Sequence, residues 1–249
     1  MAFRFDIIYE YREMFYYGAL TTLGVTLIST LMGTLLGLIC AIARVIRIEK
    51  GGLPVRALVW VLRQISLLYV TIFRGTPLFV QIFIWYFVWF PLLINPTDGL
   101  IISGDLAIEL RRNYGALIAG ILALSVNSGA YITEIFRAGI QSIDRGQFEA
   151  SRSLGLSYTQ AMRYVILPQA IRRMLPPIGN EFITLLKDSS LLSAIAVAEL
   201  AFAARAAAGR YLTYDTPLYT IAIIYLIMTI ALSWFFSSLE KKYNKGYQH

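Results

Sequence analysis

Three groups of polar residues interrupt otherwise apolar stretches, and their types suit holding a small charged solute better than breaking a bond. Asn127, Tyr131 and Glu134 are spaced four and three residues apart, one face of a helix, with Ser128 beside them. Lys187, Asp188, Ser189 and Ser190 are consecutive, and Glu181, Thr184 and Asp188 share a second helical face. Arg74 and Thr76 precede Pro77, and Gln81 lies four residues beyond it. A solute carboxylate would pair with Arg74, Lys187 or N–H groups freed at the proline, and a solute ammonium with Glu134 or Asp188. The competing arrangement is a fixed internal network, for example Glu134 with Arg137 or Lys187 with Asp188. Catalytic chemistry is poorly served. The one His is the last residue, His249, and the one Cys, Cys40, sits in an apolar run as a small filler. Neither a G-x-S-x-G elbow nor a Walker A phosphate loop occurs. We therefore expect no catalytic residue, no metal site and no cofactor held by this chain.

The elements around these groups are set by hydropathy. Of 249 residues, 57% are apolar and only 15% charged, against about 25% charged in soluble domains. The mean hydropathy of +0.63 fits a chain that lives in lipid. A bilayer core takes about 20 helical residues, and five runs reach that scale, at about 18–43, 55–93, 114–140, 174–204 and 218–236. Asp6, Glu10 and Glu13 precede the first run, which is not the basic start of a cleaved signal peptide, so it reads as a retained span. Gly33 and Gly37 within it form a G-x-x-x-G pair that lets a neighbouring helix approach closely. The second run is too long for one simple span. Pro77 divides it, giving a helix over 55–73 that enters from the cytoplasmic side and a continuation over 78–93. Arg56, Arg63 and Arg74 fall on one line of that helix and must face water, headgroups or a cavity. Trp85, Trp89 and Phe90 suit an interfacial belt. The stretch 95–113, with its NPTDG and SGD turns, reads as a hydrophilic connection. In the fourth run, Lys187 to Ser190 lie near mid-bilayer.

Orientation follows from loop Lys and Arg. The first connection holds Arg44, Arg47, Lys50 and Arg56. The one after the third span holds Arg145, Arg152, Arg163, Arg172 and Arg173, and the tail holds Lys241, Lys242 and Lys245. The alternate connections carry only Arg111 and Arg112, then Arg205 and Arg210. The N-terminus is thus expected outside and the C-terminus in the cytoplasm. The net charge of +7 is spent on topology, which argues against a nucleic-acid partner.

The loop 141–173 is long yet helix-favouring. Residues 149–153 predict one short helix, Gly155 a turn, and Ser157 the N-cap of a second helix to about Val165, ended by Pro168. Such a pair makes a compact knob at the membrane face; an amphipathic pair lying on headgroups is the plainer alternative.

The chain resembles the membrane permease subunits of bacterial ABC importers, within the polar amino-acid uptake group. Their cytoplasmic motif is E-A-A, three residues, G, nine residues, I-x-L-P. Here Glu149, Ala150, Ser151, Gly155, Val165, Leu167 and Pro168 stand at that spacing, with Ser for Ala at 151 and Val for Ile at 165. FRGTPLFVQ, SGAYITEIFRAGIQSI and LPPIGNEFITLLKDSSLLS are similar to the same group. The resemblance implies an all-α integral membrane protein of the type I importer kind. It would be a single permease domain over 1–249, with five spans and a coupling-helix loop between the third and fourth. It implies a separate ATP-binding subunit that carries the ATP and Mg, docked through Glu149, Ala150, Ser151, Gly155, Leu167 and Pro168. It also implies a periplasmic or lipid-anchored amino-acid-binding protein and a place in the bacterial inner membrane. Five spans give too little wall for a pore, so a second permease chain, identical or paralogous, is expected. Arg74, Thr76, Gln81, Asn127, Ser128, Tyr131, Glu134, Lys187, Asp188 and Ser189 would line the path of a polar or basic amino acid. An ion-gradient-driven transporter or channel is the rival. It would make Glu134, Lys187 and Asp188 a relay, but the two halves show no inverted repeat.

Overall fold

The computed structural model describes residues 3–46 and 52–244. Among them the chain forms eight helices and no strand, with one isolated bridge from Ile94 to Ile102. The helices are α1 (Phe5–Val45), α2 (Leu53–Gly75), α3 (Leu78–Leu93) and α4 (Asp105–Gln141), then α5 (Arg145–Ser153), α6 (Tyr158–Ile195), α7 (Leu200–Tyr211) and α8 (Asp215–Asn244). Four of these, α1, α2, α4 and α8, are long and apolar enough to cross a membrane, and a fifth crossing results if the bent pair α6–α7 counts as one. Arg47, Lys50, Lys245 and His249 lie outside the described residues.

The centre of the bundle is α1 against α4. The two run in the same direction, because Ser29 donates to the Ile121 carbonyl at 3.3 Å while Arg44, fifteen residues on, meets Glu134. Their close approach rests on the small-residue pair. A Cβ at Gly33 would stand 3.0 Å from the Ser125 carbonyl oxygen, and one at Gly37 2.9 Å from that of Gly129. α6 runs the opposite way along α4, with Met174 over Gly139 and Leu192 over Gly120. α2 and α3 follow one another along α4. The Tyr69 hydroxyl donates to the Val126 carbonyl at 2.6 Å, Gln81 meets Asn127, and Phe90 packs on Gly115. The Gly75–Pro77 break therefore falls beside Asn127.

The structure moves several boundaries. α1 starts at Phe5, well before the apolar run at 18, because Ile7 and Phe15 are buried against Leu200, Ala203, Ala204 and Ala207 of α7. Its 41 residues make about 60 Å of helix, roughly twice the bilayer core. α4 starts at Asp105 inside the expected connection, since Ala107 is buried with Phe90 and Ile94. Phe90 is accordingly a core residue, not part of an interfacial belt, whereas Trp89 stays exposed. Pro168 does not end the helix it was expected to end. The Leu167 N–H bonds to the Met162 carbonyl five residues back, and this π turn shifts the ladder just before the proline. α6 then continues through Pro176 and Pro177. The fourth apolar run is not one rod either. After a 3₁₀ stretch over Ser189–Ile195, Ala196 turns left-handed at φ 61°, and α7 leaves bent by 46°.

Candidate functional site

Two features stand out, a cavity against α4 and a knob at the end where α4 meets α5. The cavity, about 520 Å³, lies between α2, α4 and α6. Arg74 comes from α2, Tyr131, Glu134 and Gly139 from α4, and Arg173 and Glu181 from α6. The small Ala138 side chain leaves the volume open beside Pro177, whereas Met174 fills the space over Gly139. The Arg74 guanidinium stands 5.1 Å from the Tyr131 ring centroid, a cation–π pair that fixes a positive charge on the wall.

Glu134 is already engaged. One carboxylate oxygen bonds to Arg44 of α1, and the other accepts from Arg137 Nε at 2.8 Å. This is the fixed network that the sequence offers as a competing arrangement, extended to a residue ninety positions away. Glu181 differs, because it forms no ion pair among the described residues and faces the same cavity as Arg74. Glu134→Gln should leave Arg44 and Arg137 facing an uncharged amide, at a cost of about 3 kcal/mol in stability. The order in which small solutes compete for the cavity should stay unchanged. A lower melting midpoint of the purified protein would check the first part; a reordered competition series would put Glu134 in contact with solute.

The remaining sequence-derived candidates separate. Gln81 and Asn127 are buried and bond to each other at 2.9 Å and to the Phe73 carbonyl, beside Thr76 at the Pro77 break. Ser128 is fully buried in the α1–α4 contact near Gly33. Lys187 is exposed and Asp188 half-buried, with no ion pair between them, and neither lines the cavity. Ser189 is fully buried and donates to the Leu186 carbonyl at 2.8 Å. Sequence reasoning passed over Arg173 as a site residue, counting it only for orientation, yet its side chain donates to the Ser142 carbonyl and so ties the cavity rim to the start of the loop. It also passed over Glu199. That fully buried carboxylate caps α7 through the Ala201 and Phe202 N–H groups, both at 2.8 Å, and accepts from the Tyr225 hydroxyl at 3.0 Å. Only its position just ahead of an alanine-rich helix could have marked it.

The knob is α5, a turn, and the first turns of α6. Asp144 caps α5 through the Gly146 N–H, and Ser157 and Gln160 form a reciprocal capping box at the start of α6. Between them Gly155 has φ +85°, a conformation glycine adopts at no steric cost. Ile143, Ile166, Ala170 and Met174 form the core beneath, with Phe148 packed on it. Glu149, Ala150, Leu167 and Pro168 are exposed, whereas Ser151 is buried and donates to the Gln147 carbonyl at 2.6 Å. Leu154, at the turn, is 84% exposed. An apolar side chain held out on a rigid turn suits insertion into another protein.

A family model for the inner membrane component of binding-protein-dependent transport systems matches residues 33–245. The chain belongs to this family.

Its relatives agree along nearly the whole length. It is 35% identical over 243 residues to the glutamine transport system permease protein GlnP of Escherichia coli (strain K12), covering 97% of this chain and 98% of that one. It is 38% identical over 222 residues to the probable amino-acid ABC transporter permease protein YckA of Bacillus subtilis (strain 168), covering 89% and 85%. The fold matches the crystal structure of an amino acid ABC transporter with histidines at a TM-score of 0.77, with 36% identity and coverage of 97% and 100%. The chain is thus a multi-pass permease subunit of the bacterial inner membrane, in the amino-acid ABC transporter group. Against a gradient-driven transporter or channel, this membership decides for the binding-protein-dependent class.

Proposed function

We propose that this permease carries a polar or basic amino acid inward as one half of a dimeric pathway, identical or paralogous in its second chain. Its cavity is that half's share of the route. The observation that carries this reading is the cavity itself, where Arg74 on one wall and Glu181 on the other match the carboxylate and ammonium ends of a zwitterion. Relatives named for glutamine and amino-acid transport support the same class of solute. Tyr131 and Glu134 belong to the wall, and Thr76, Lys187 and Asp188 are open to a facing chain. No step of the passage makes or breaks a bond, so the chain is a transport subunit and not an enzyme. Five crossings follow if α2 with α3, and α6 with α7, each cross once.

The knob faces the cytoplasm in this proposal and docks on a separate ATPase that holds ATP and Mg. Arg145, Arg152, Arg163, Arg172 and Arg173 gather at that end, as the positive-inside rule requires. The N-terminus then lies outside, where a periplasmic or lipid-anchored binding protein delivers the solute, and the C-terminus lies inside. The test is uptake of labelled amino acids by the whole complex with its binding protein. Uptake should stop when ATP is depleted and persist when the membrane potential is collapsed. The opposite pattern would sink the proposal.

A further inference from the structure

The break between α2 and α3 creates a backbone carbonyl that helical geometry cannot satisfy. Pro77 has no N–H, so the Phe73 carbonyl loses the partner it would otherwise find four residues on. Two side-chain amides take that place. Gln81 Nε2 donates to the Phe73 carbonyl at 2.9 Å, and Asn127 Nδ2 donates to it at 3.1 Å. The amides are joined, Asn127 Nδ2 donating to Gln81 Oε1 at 2.9 Å. Gln81 Nε2 also reaches the Thr76 carbonyl at 3.1 Å and its hydroxyl at 2.8 Å, while that hydroxyl donates to the Ile72 carbonyl at 2.8 Å. Gln81 is 4% exposed and Asn127 6%, so solute in the cavity cannot meet either amide without opening the clamp.

The clamp adjoins the cavity's cation. Phe73 and Arg74 are neighbours in the last turn of α2, and Asn127 and Tyr131 are one turn apart on the same face of α4. That face therefore holds the end of α2 twice, through the amide at the Phe73 carbonyl and through the Tyr131 ring beneath Arg74. We infer that Gln81 and Asn127 are positioning residues for transport, which fix the broken end of α2 so that the Arg74 guanidinium stands at the cavity wall. They act on the solute through Arg74 and do not touch it. This rests on the permease reading above, in which Arg74 meets the solute.

The test is a double-substitution cycle on the complete transporter in proteoliposomes, using a labelled mixture of the twenty amino acids. Gln81→Leu and Arg74→Ala should each slow uptake about tenfold, the scale of coupling between residues in one network. Together they should be no slower than Arg74→Ala alone, because without the guanidinium the clamp has nothing left to position. Asn127→Leu gives a second route into the same cycle if Gln81→Leu fails to assemble. Losses that multiply to about a hundredfold in the double variant would show a general packing role and overturn the inference. So would wild-type uptake by either single variant. A wild-type complex with no ATP-dependent uptake would overturn the permease reading itself, and the positioning role with it, which is distinguishable from multiplied losses.

Discussion

Replacing Gly155 with Asp should abolish coupled uptake while leaving the chain inserted and ATP hydrolysis running. Gly155 sits at φ +85° in an exposed turn with nothing within 4 Å of where its Cβ would be, so the bundle has no steric reason to unfold. Asn and Asp both tolerate the left-handed region better than most residues. The pair Gly155→Asn and Gly155→Asp therefore holds shape nearly constant and changes charge. In the proposed docking, a carboxylate beside the exposed Leu154 would be carried into the ATPase interface, and burying it there without a partner costs about 3 kcal/mol or more. That is a loss of over about a hundredfold in docking affinity. Gly155→Asn should retain most of the uptake and Gly155→Asp almost none, as measured in proteoliposomes containing the ATPase and the binding protein. Unchanged transport by the Asp variant would mean that the knob does not transmit the motor's closure.

The second large effect is expected at Gly37, with Gly24 in the same helix as its counterpart. A Cβ at Gly37 would lie 2.8 Å from Ile132 Cγ2 and 2.9 Å from the Gly129 carbonyl oxygen, whereas one at Gly24 meets nothing within 4 Å. Backbone cannot step aside cheaply, so Gly37→Ala forces α1 away from α4 along their shared contact, at about 1–3 kcal/mol. Separation there also strains the Arg44–Glu134 pair farther along the same two helices. Gly24→Ala has only its helix propensity to contribute, a gain of about 1 kcal/mol. The melting midpoint of the purified complex should fall with the first substitution and hold or rise with the second. Equal behaviour at the two positions would deny that the small-residue seam sets the packing of α1.

Much of this molecule is written in short stretches of chain. Hydropathy alone puts it in a membrane, because burying runs of this length needs no partner other than lipid. The turn at Gly155, the cap at Ser157 and the break at Pro77 are also legible, since each depends on the backbone preference of one or two residues. Local rules failed where neighbours supplied what the local sequence lacked. Pro168 should have stopped a helix, but a π turn absorbed the missing bond. The polar residues ahead of Gly18 should have lain outside α1, but contacts with α7 kept them helical.

Which polar groups meet was settled only by the packed bundle. By its spacing alone Glu134 suits either a solute or an ion partner; the parallel register of α1 and α4 gave it Arg44. Asn127 and Gln81 have the look of pathway residues, yet the fold turns both toward an orphaned carbonyl. Glu181 and Arg74 line one cavity although 107 positions separate them. The physical reason is rotation. One residue advances a helix by about 100°, so a small change in how two helices dock sends a side chain to a different neighbour. Hydropathy fixes that a helix forms and crosses, while its facing and register come from contacts with the other helices.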